Sequence, residues 1–200
     1  MQLIYRVSAI LGLLISFQQT AFSCEKYESF TLDEQKSFRE MLNKSNADPL
    51  DRLFAFNQLA CSDDPNIRSY AIREGLKNSS DELVRNQVML TAFMQMKRVD
   101  IELGESDGAT KDDQSFIKKN SGIFSKNVQY KSKTDGCISL YRTDKCLSNS
   151  SLFIKGDKVE YNYKSIFGEF RLTSNNEMLG FLRVANTRKY SRIPAVIKLF

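Results

Sequence analysis

The chain has 200 residues, a formal net charge of +5 and no histidine. The length allows one domain or two small ones, and an apolar fraction of 42% is enough to build a hydrophobic core. The absence of histidine excludes Ser-His-Asp and Cys-His nucleophile systems, and it excludes His-ligated zinc or iron sites.

Residues 1–23 have the organisation of a secretory signal peptide. Arg6 closes a short basic region, and the apolar stretch that follows is too short for an ordinary membrane span. Ala21 and Ser23 fit the small-x-small rule for cleavage before Cys24. We therefore predict a periplasmic or secreted protein. Two alternatives stay open: an uncleaved N-terminal anchor, and lipid attachment at Cys24, which follows a weak match to a bacterial lipobox.

The cysteines agree with export, because all four lie after the predicted cleavage point: Cys24, Cys61, Cys137 and Cys146. An even number in an oxidising compartment predicts two disulfides, which four cysteines can form in three ways. The short separation of Cys137 and Cys146 favours a local bridge, which leaves Cys24 for Cys61. The spacings are long and irregular and contain no C-x-x-C, so we predict no metal site and no cofactor.

Residues 24–103 are predicted to form an α-helical domain of about four helices. Helix starts are marked by capping boxes and Asp-Pro pairs at Thr31–Glu34, Asp48-Pro49, Asp64-Pro65 and Ser79–Glu82. Apolar residues follow each start at helical spacing.

A motif repeats within this region: Asp48-Pro49-x-x-Arg52-x-x-Ala55 recurs as Asp64-Pro65-x-x-Arg68-x-x-Ala71, with a degenerate copy around Arg85. Residues 48–98 thereby resemble HEAT-type α-helical repeats, in which an Asp-Pro start and an interior arginine mark the helices of a stacked solenoid. The resemblance implies a scaffold that binds proteins. Four helices make a short stack, so we expect the rest of the chain or a partner to cap it. We expect the repeated arginines to bond carboxylates or helix ends of neighbouring repeats, with ligand binding as the alternative.

The second half of the chain changes character. Residues 104–122 are polar, acidic and punctuated by glycine, which predicts a linker. Residues 123–200 follow a period of two and predict an antiparallel β meander, rolled into a sandwich or small barrel. The fold class is therefore predicted to be α+β. The expected strands lie at 128–130, 137–141, 151–154, 158–163, 168–173, 179–184 and 195–200.

The charge divides between the two halves. Residues 24–114 carry a net charge of −6, and residues 115–200 carry +10. This asymmetry predicts either halves that dock or are simply solvated, or an anionic partner for the basic half. We expect that partner to be a protein or a cell-envelope component, with no nucleic acid and no integral membrane span. The candidate binding residues are Lys158, Tyr161, Tyr163, Lys164, Arg171, Arg183, Arg188, Lys189 and Arg192.

The aromatic residues of the basic half allow two interpretations. Tyr161, Tyr163, Phe167 and Phe170 are interleaved with basic residues, a pattern that suits a stacking platform. Aromatic residues at a period of two more commonly fill the buried face of a sheet, and that interpretation is favoured.

The sequence predicts no catalytic residue. Gly104–Gly108 matches G-x-S-x-G and Ser115–Lys118 matches S-x-x-K, but the companion motifs are absent and no histidine is present to activate a serine. The adjacent carboxylates Asp63-Asp64 are interpreted as a helix N-cap, and Asp112-Asp113 as part of a solvated linker.

Our sequence-based hypothesis is therefore an exported, non-enzymatic binding protein of the periplasm or cell envelope. It would engage a protein or an anionic envelope partner, for example as an inhibitor or an immunity-type factor. The alternative is a hydrolase that cleaves a cell-wall polysaccharide with a pair of carboxylates.

Overall fold

A computed structural model of the protein describes residues 24, 26–78, 81–105, 109–184 and 192–199. The predicted signal peptide lies outside these described residues, as do Arg188 and Lys189 of the candidate binding set. The α+β class is confirmed: four helices open the described chain, and a fifth lies between the first two strands of an antiparallel sheet of nine strands. No helix in the described part of the chain combines the length and apolar character that a membrane span requires.

Four helices form the N-terminal layer: α1 (Leu32–Asn43), α2 (Pro49–Ala60), α3 (Pro65–Asn78) and α4 (Glu82–Gln95). Their starts follow the expected capping chemistry, because side-chain oxygens accept hydrogen bonds from first-turn amides. Asp48 accepts from the Leu50 amide at 2.8 Å and Asp64 from the Asn66 amide at 2.7 Å. The N-cap of α4 is Asp81, not the expected Ser79, which lies outside the described residues.

The repeated arginines tie each helix to the link that precedes it. The Arg52 guanidinium donates to the Ser45 carbonyl at 2.6 Å, and the Arg68 guanidinium donates to the carbonyls of Ser62 and Asp63 at 2.7 and 2.8 Å. Both arginines therefore bond main-chain carbonyls of the link that follows the preceding helix, and these bonds involve no carboxylate. The likeness to HEAT repeats stays a prediction.

The predicted secondary structure is wrong for two segments near the predicted domain boundary. Arg98–Leu103 is not helical but forms strand β1, because Val99, Ile101 and Leu103 alternate with charged residues and enter the core. The predicted linker contains helix α5 (Lys111–Lys119), which begins with a capping box between Thr110 and Asp113.

Helix α5 is held by its apolar face. The Phe116 ring packs on Phe124 with ring centroids 5.4 Å apart, and Phe124 in turn meets the edge of Tyr161 at 6.2 Å. These contacts attach α5 to the inner side of the sheet, so the stretch expected to be a solvated linker is a packed part of the fold.

The remaining strands are β2 (Ile123–Asn127), β3 (Tyr130–Ser132), β4 (Cys137–Ser139), β5 (Ser151–Lys155), β6 (Lys158–Tyr163), β7 (Ile166–Leu172), β8 (Glu177–Val184) and β9 (Ile193–Lys198). Strands β3 to β9 form the expected meander, and the β1–β2 hairpin extends the sheet beyond β9. The sheet is curled into a half-barrel. The two edge strands, β2 and β3, are consecutive in the chain.

Glycines make room for the large aromatic residues inside the curl. In the strand register Tyr161 lies opposite Gly168, and Phe170 lies opposite Gly180. A Cβ at Gly168 would lie 2.7 Å from a methyl carbon of Leu182, and a Cβ at Gly180 would collide with the Glu169 carbonyl. The tight curvature of β7 and β8 therefore depends on two residues without side chains.

The helical layer and the sheet share one core. Buried residues of α2, α3 and α4 form a continuous cluster with inward residues of the sheet. Helix α4 lies next to β5, and Gly156 in the β5–β6 turn approaches the Asn86 side chain. The sheet therefore covers the short helical stack, as the sequence led us to expect of the rest of the chain or a partner.

Both expected disulfides are present. Cys24 is bonded to Cys61 and Cys137 to Cys146, which leaves no free cysteine among the described residues. The first bridge fixes the start of the described chain to the end of α2. The second closes the segment between β4 and β5.

Candidate binding groove

A groove of about 450 Å³ lies on the outer face of the sheet, the side opposite the core. It runs across β6, β7 and β8, and its side chains come from alternate residues of each strand. Strand β7 contributes Phe167, Glu169 and Arg171, whereas its intervening residues Gly168 and Phe170 are buried. This alternation follows from the period of two in a β-strand.

The strand register arranges these side chains in rows across the groove. One row joins Glu160, Glu169 and Phe181, and a second joins Lys158, Arg171 and Leu179. In a third row Arg183 lies opposite Phe167. Since Phe167 and Arg171 are four residues apart on one strand, Arg171 and Arg183 lie in rows separated by about 13 Å.

The arginines of the groove have no acidic partner in the described part of the chain. Arg171, Arg183 and Arg192 form no ion pair there, although the Arg192 guanidinium lies 4.4 Å from the centre of the Phe181 ring. Glu160, by contrast, is bound by Lys155 with an Nζ–Oε2 distance of 2.8 Å. The cations of this surface are therefore available to a ligand from outside the described chain.

Large apolar side chains lie between these cations. Phe167 is 42% exposed, Leu179 is 45% exposed and Phe181 is 40% exposed. These three residues come from β7 and β8 and lose unfavourable contact with water when a partner covers them. The groove therefore has arginines in its two outer rows and a central row in which Phe181 lies beside Glu169 and Glu160.

The structure brings part of the candidate binding set together. Arg171, Arg183 and Arg192 line the groove, and Lys158 is the cross-strand neighbour of Arg171. Tyr163 and Lys164 lie elsewhere: the ring of Tyr163 is 4.9 Å from the Lys126 ammonium and 5.6 Å from that of Lys164.

Tyr161 is a correction to the predicted binding set. Its side chain is fully buried opposite Gly168, and its hydroxyl has no hydrogen-bond partner within the described residues. Burial strongly raises the pKa of this phenol, because the phenolate would be desolvated. Tyr161 and the buried Phe170 therefore belong to the core, as the favoured interpretation of the aromatic pattern stated, and Tyr161 is not available to a ligand.

Sequence reasoning missed five side chains of the groove: Glu160, Asn162, Glu169, Leu179 and Phe181. The signal was present in the alternation of β7 and β8, where every second residue is either a charged or a large apolar one. If one alternating set of residues on these strands is assigned to the core, the other set must lie together on the outer face.

The two pairs of adjacent aspartates considered in the sequence analysis lie at the starts of helices. Asp64 caps α3, and Asp63 accepts a hydrogen bond from the Ser29 hydroxyl. Asp113 is buried in the capping box of α5, so its interpretation as a solvated linker residue is wrong. No group of three or more His, Cys, Asp or Glu residues suited to a metal ion occurs among the described residues.

Ser115 of the S-x-x-K match is exposed on α5. The G-x-S-x-G match extends into residues 106–108, which are outside the described part of the chain. In comparisons with known proteins, no family model, curated protein or solved structure matches this chain.

Proposed function

We propose that this is an exported, non-enzymatic binding protein whose outer groove binds an extended acidic segment of a partner protein. The observation that carries the proposal is the set of three groove arginines, which surround exposed apolar side chains and form no ion pair within the described chain. A guanidinium presents a planar fork of donors that matches a carboxylate, so the groove is complementary to acidic side chains.

The dimensions of the groove favour an extended peptide. In an extended chain, residues i and i+4 point to the same side and are about 13 Å apart. Acidic residues at these two positions would meet Arg171 and Arg183, and the residue between them would lie over the row of Phe181 and Glu169. An inhibitor or immunity-type protein that covers a partner's extended segment would use such a surface.

Two features support the exported setting. The chain contains two disulfides, which persist in oxidising compartments. Residues 1–23 carry the signal-peptide pattern described above. Mass spectrometry of the mature N-terminus tests this part of the proposal, because a free Cys24 amino group supports cleavage and a diacylated Cys24 contradicts the Cys24–Cys61 bridge.

The binding proposal is tested with a library of random 12-residue peptides selected against the folded protein. We expect enriched peptides to carry Asp or Glu at two positions four residues apart, with an apolar residue between them. The double variant Arg171→Gln/Arg183→Gln should weaken the best peptide about 100-fold, because each lost charge-assisted pair costs about tenfold in affinity. Rising salt should weaken binding to the parent protein as well.

The matched control is Arg142→Gln/Lys145→Gln, which removes the same charge from exposed residues that do not line the groove. An equal loss in this control would show that net charge, and not the groove, attracts the peptide. Binding to anionic lipid vesicles without any selected peptide would contradict a protein partner.

A second candidate function has one specific observation in its favour. Glu160 and Glu169 are directly opposite each other on β6 and β7, and both face the groove. Paired carboxylates are what glycoside hydrolysis requires. Turnover of peptidoglycan that is abolished by Glu169→Gln would support the hydrolase and contradict the binding proposal.

A further inference from the structure

A second cavity, of about 240 Å³, lies between the helical layer and the β3–β4 hairpin. We name it the inter-layer pocket. It has room for roughly eight water molecules at liquid density. Helices α2 and α4 form one wall, and Lys131 and Lys133 of the hairpin form the other. The Cys24–Cys61 disulfide and the Tyr27 side chain complete the lining.

The helical wall presents an amide that nothing in the described chain satisfies. Asn57 is only 9% exposed, yet its side chain makes no hydrogen bond to any described residue. Its neighbours are committed elsewhere: Gln95 donates to the Ala60 carbonyl at 3.3 Å, and Thr91 accepts from Gln87 at 3.5 Å. The polar atoms of Asn57 are not sealed off from solvent, so the amide can bond a polar ligand that enters the pocket.

The hairpin wall supplies two cations. The Lys131 ammonium donates to the Met94 carbonyl near the end of α4 at 2.6 Å, whereas the Lys133 ammonium forms no ion pair or hydrogen bond within the described residues. Desolvation lowers the pKa of both lysines, and the charge of Lys97 lowers that of Lys131 further. No carboxylate is among the described residues that line the pocket. These charges are therefore partly removed from water without a counter-charge in the lining.

We propose that the inter-layer pocket binds a small organic anion through Lys133, Lys131 and Asn57. A carboxylate or phosphate group would accept from the lysines and from the Asn57 amide. The remainder of the ligand would pack on Met94 and on the ring of Tyr27. The volume limits the ligand to the size of a single amino acid or a small phosphate ester. This site is separate from the outer groove and does not depend on the function proposed for it.

The test is a nuclear magnetic resonance titration of the intact, oxidised protein with glutamate and, separately, with inorganic phosphate. We expect saturable shifts of the Asn57 and Gln95 side-chain amides with at least one of the two anions. A response to glutamate alone identifies a carboxylate site, and a response to phosphate alone identifies a phosphate site. Absence of saturation with both anions up to about 10 mM, tenfold above a millimolar Kd, would overturn the proposal.

Two variants locate the site. Lys133→Gln and Asn57→Leu should each weaken binding about tenfold, the expected effect of losing one good hydrogen bond to a charged ligand. Lys97→Gln is the matched control, because Lys97 lies near Lys131 but does not line the pocket. If Lys97→Gln and Lys133→Gln weakened anion binding equally, the binding would reflect general charge attraction. That result would refute a defined site. Lys133→Gln alters a half-exposed turn residue, so its test does not depend on whether Asn57→Leu folds.

Discussion

Arginines recur in both layers of this protein, but their surroundings differ. In the helical layer, Arg52 and Arg68 reach back to main-chain carbonyls of the preceding link at 2.6 to 2.8 Å. On the outer face of the sheet, Arg171 and Arg183 lie near the ends of two interior strands and form no ion pair in the described chain. The first pair bonds main-chain groups of the fold, whereas the second pair has no acidic partner in the described chain.

The difference follows from the backbone around each residue. The links between helices contain main-chain carbonyls that lie outside the helical hydrogen-bond pattern. A nearby guanidinium can donate hydrogen bonds to these carbonyls. The backbone groups in the middle of a sheet already bond to neighbouring strands, so an arginine on the outer face finds no unsatisfied carbonyl beside it. The same residue type therefore bonds the main chain in one layer and, in the other, carries a charge that no described carboxylate neutralises.

The substitution Gly180→Ala tests whether the curl of the sheet requires a residue without a side chain, and we expect it to have the largest effect. A Cβ at this position collides with the Glu169 carbonyl, so β7 and β8 must move apart and the curl that presents the groove must change. We expect a loss of about 3 kcal/mol in the free energy of unfolding, measured by urea denaturation. Gly104→Ala is the control: its Cβ would lie 3.2 Å from Pro194, and a small shift can relieve that contact. Equal losses would show that Gly180 is not a special position.

The comparison of the arginines predicts that an Arg→Gln substitution destabilises the protein more in the helical layer than in the sheet. Arg52→Gln should lower the free energy of unfolding by about 2 kcal/mol, because carbonyls in a largely buried site lose a charged donor. Arg183→Gln should change it by less than about 0.5 kcal/mol, as expected for an exposed side chain with no partner in the described chain. Urea denaturation of both variants measures the two free energies of unfolding. A large decrease for Arg183→Gln would contradict the conclusion that Arg183 does not stabilise the fold.

The smallest expected effect concerns the buried hydroxyl of Tyr161. Tyr161→Phe should raise the free energy of unfolding at pH 7 by about 1 kcal/mol, because it removes a buried hydroxyl without a described partner. The pKa of Tyr161 is raised above its ordinary value of 10.0 in the folded state. Ionisation of Tyr161 therefore does not affect the free energy of unfolding below pH 10, and it lowers that free energy as the pH rises above 10, because only the unfolded chain releases the proton.

Denaturation of the parent protein and of Tyr161→Phe at pH 7 and above pH 10 measures this effect. The advantage of the variant should grow in alkali. Tyr141→Phe is the control for the loss of a tyrosine hydroxyl from the surface, because Tyr141 is 54% exposed. A difference between parent and Tyr161→Phe that stays constant with pH would contradict the assignment of Tyr161 as a buried, neutral phenol.

The sequence by itself determined the features that depend on local chemistry. Capping residues marked the helix starts, the period of two located β6 within its observed bounds, and the Gly156-Asp157 turn was recognised between β5 and β6. The two disulfides also followed from local reasoning, because Cys137 and Cys146 are close in the chain and leave a single remaining pair.

Only the tertiary structure decided which face of each strand is buried and which stretches join the core. Strand β1 was missed because a short alternating segment directly after a helix gives little local signal, and α5 was missed because its acidic first turn hides the two apolar residues that anchor it. The groove and the inter-layer pocket unite residues from several elements, so the curl of the sheet and its packing on the helices create them. Local patterns fix elements, but long-range contacts determine which polar groups remain available to a ligand.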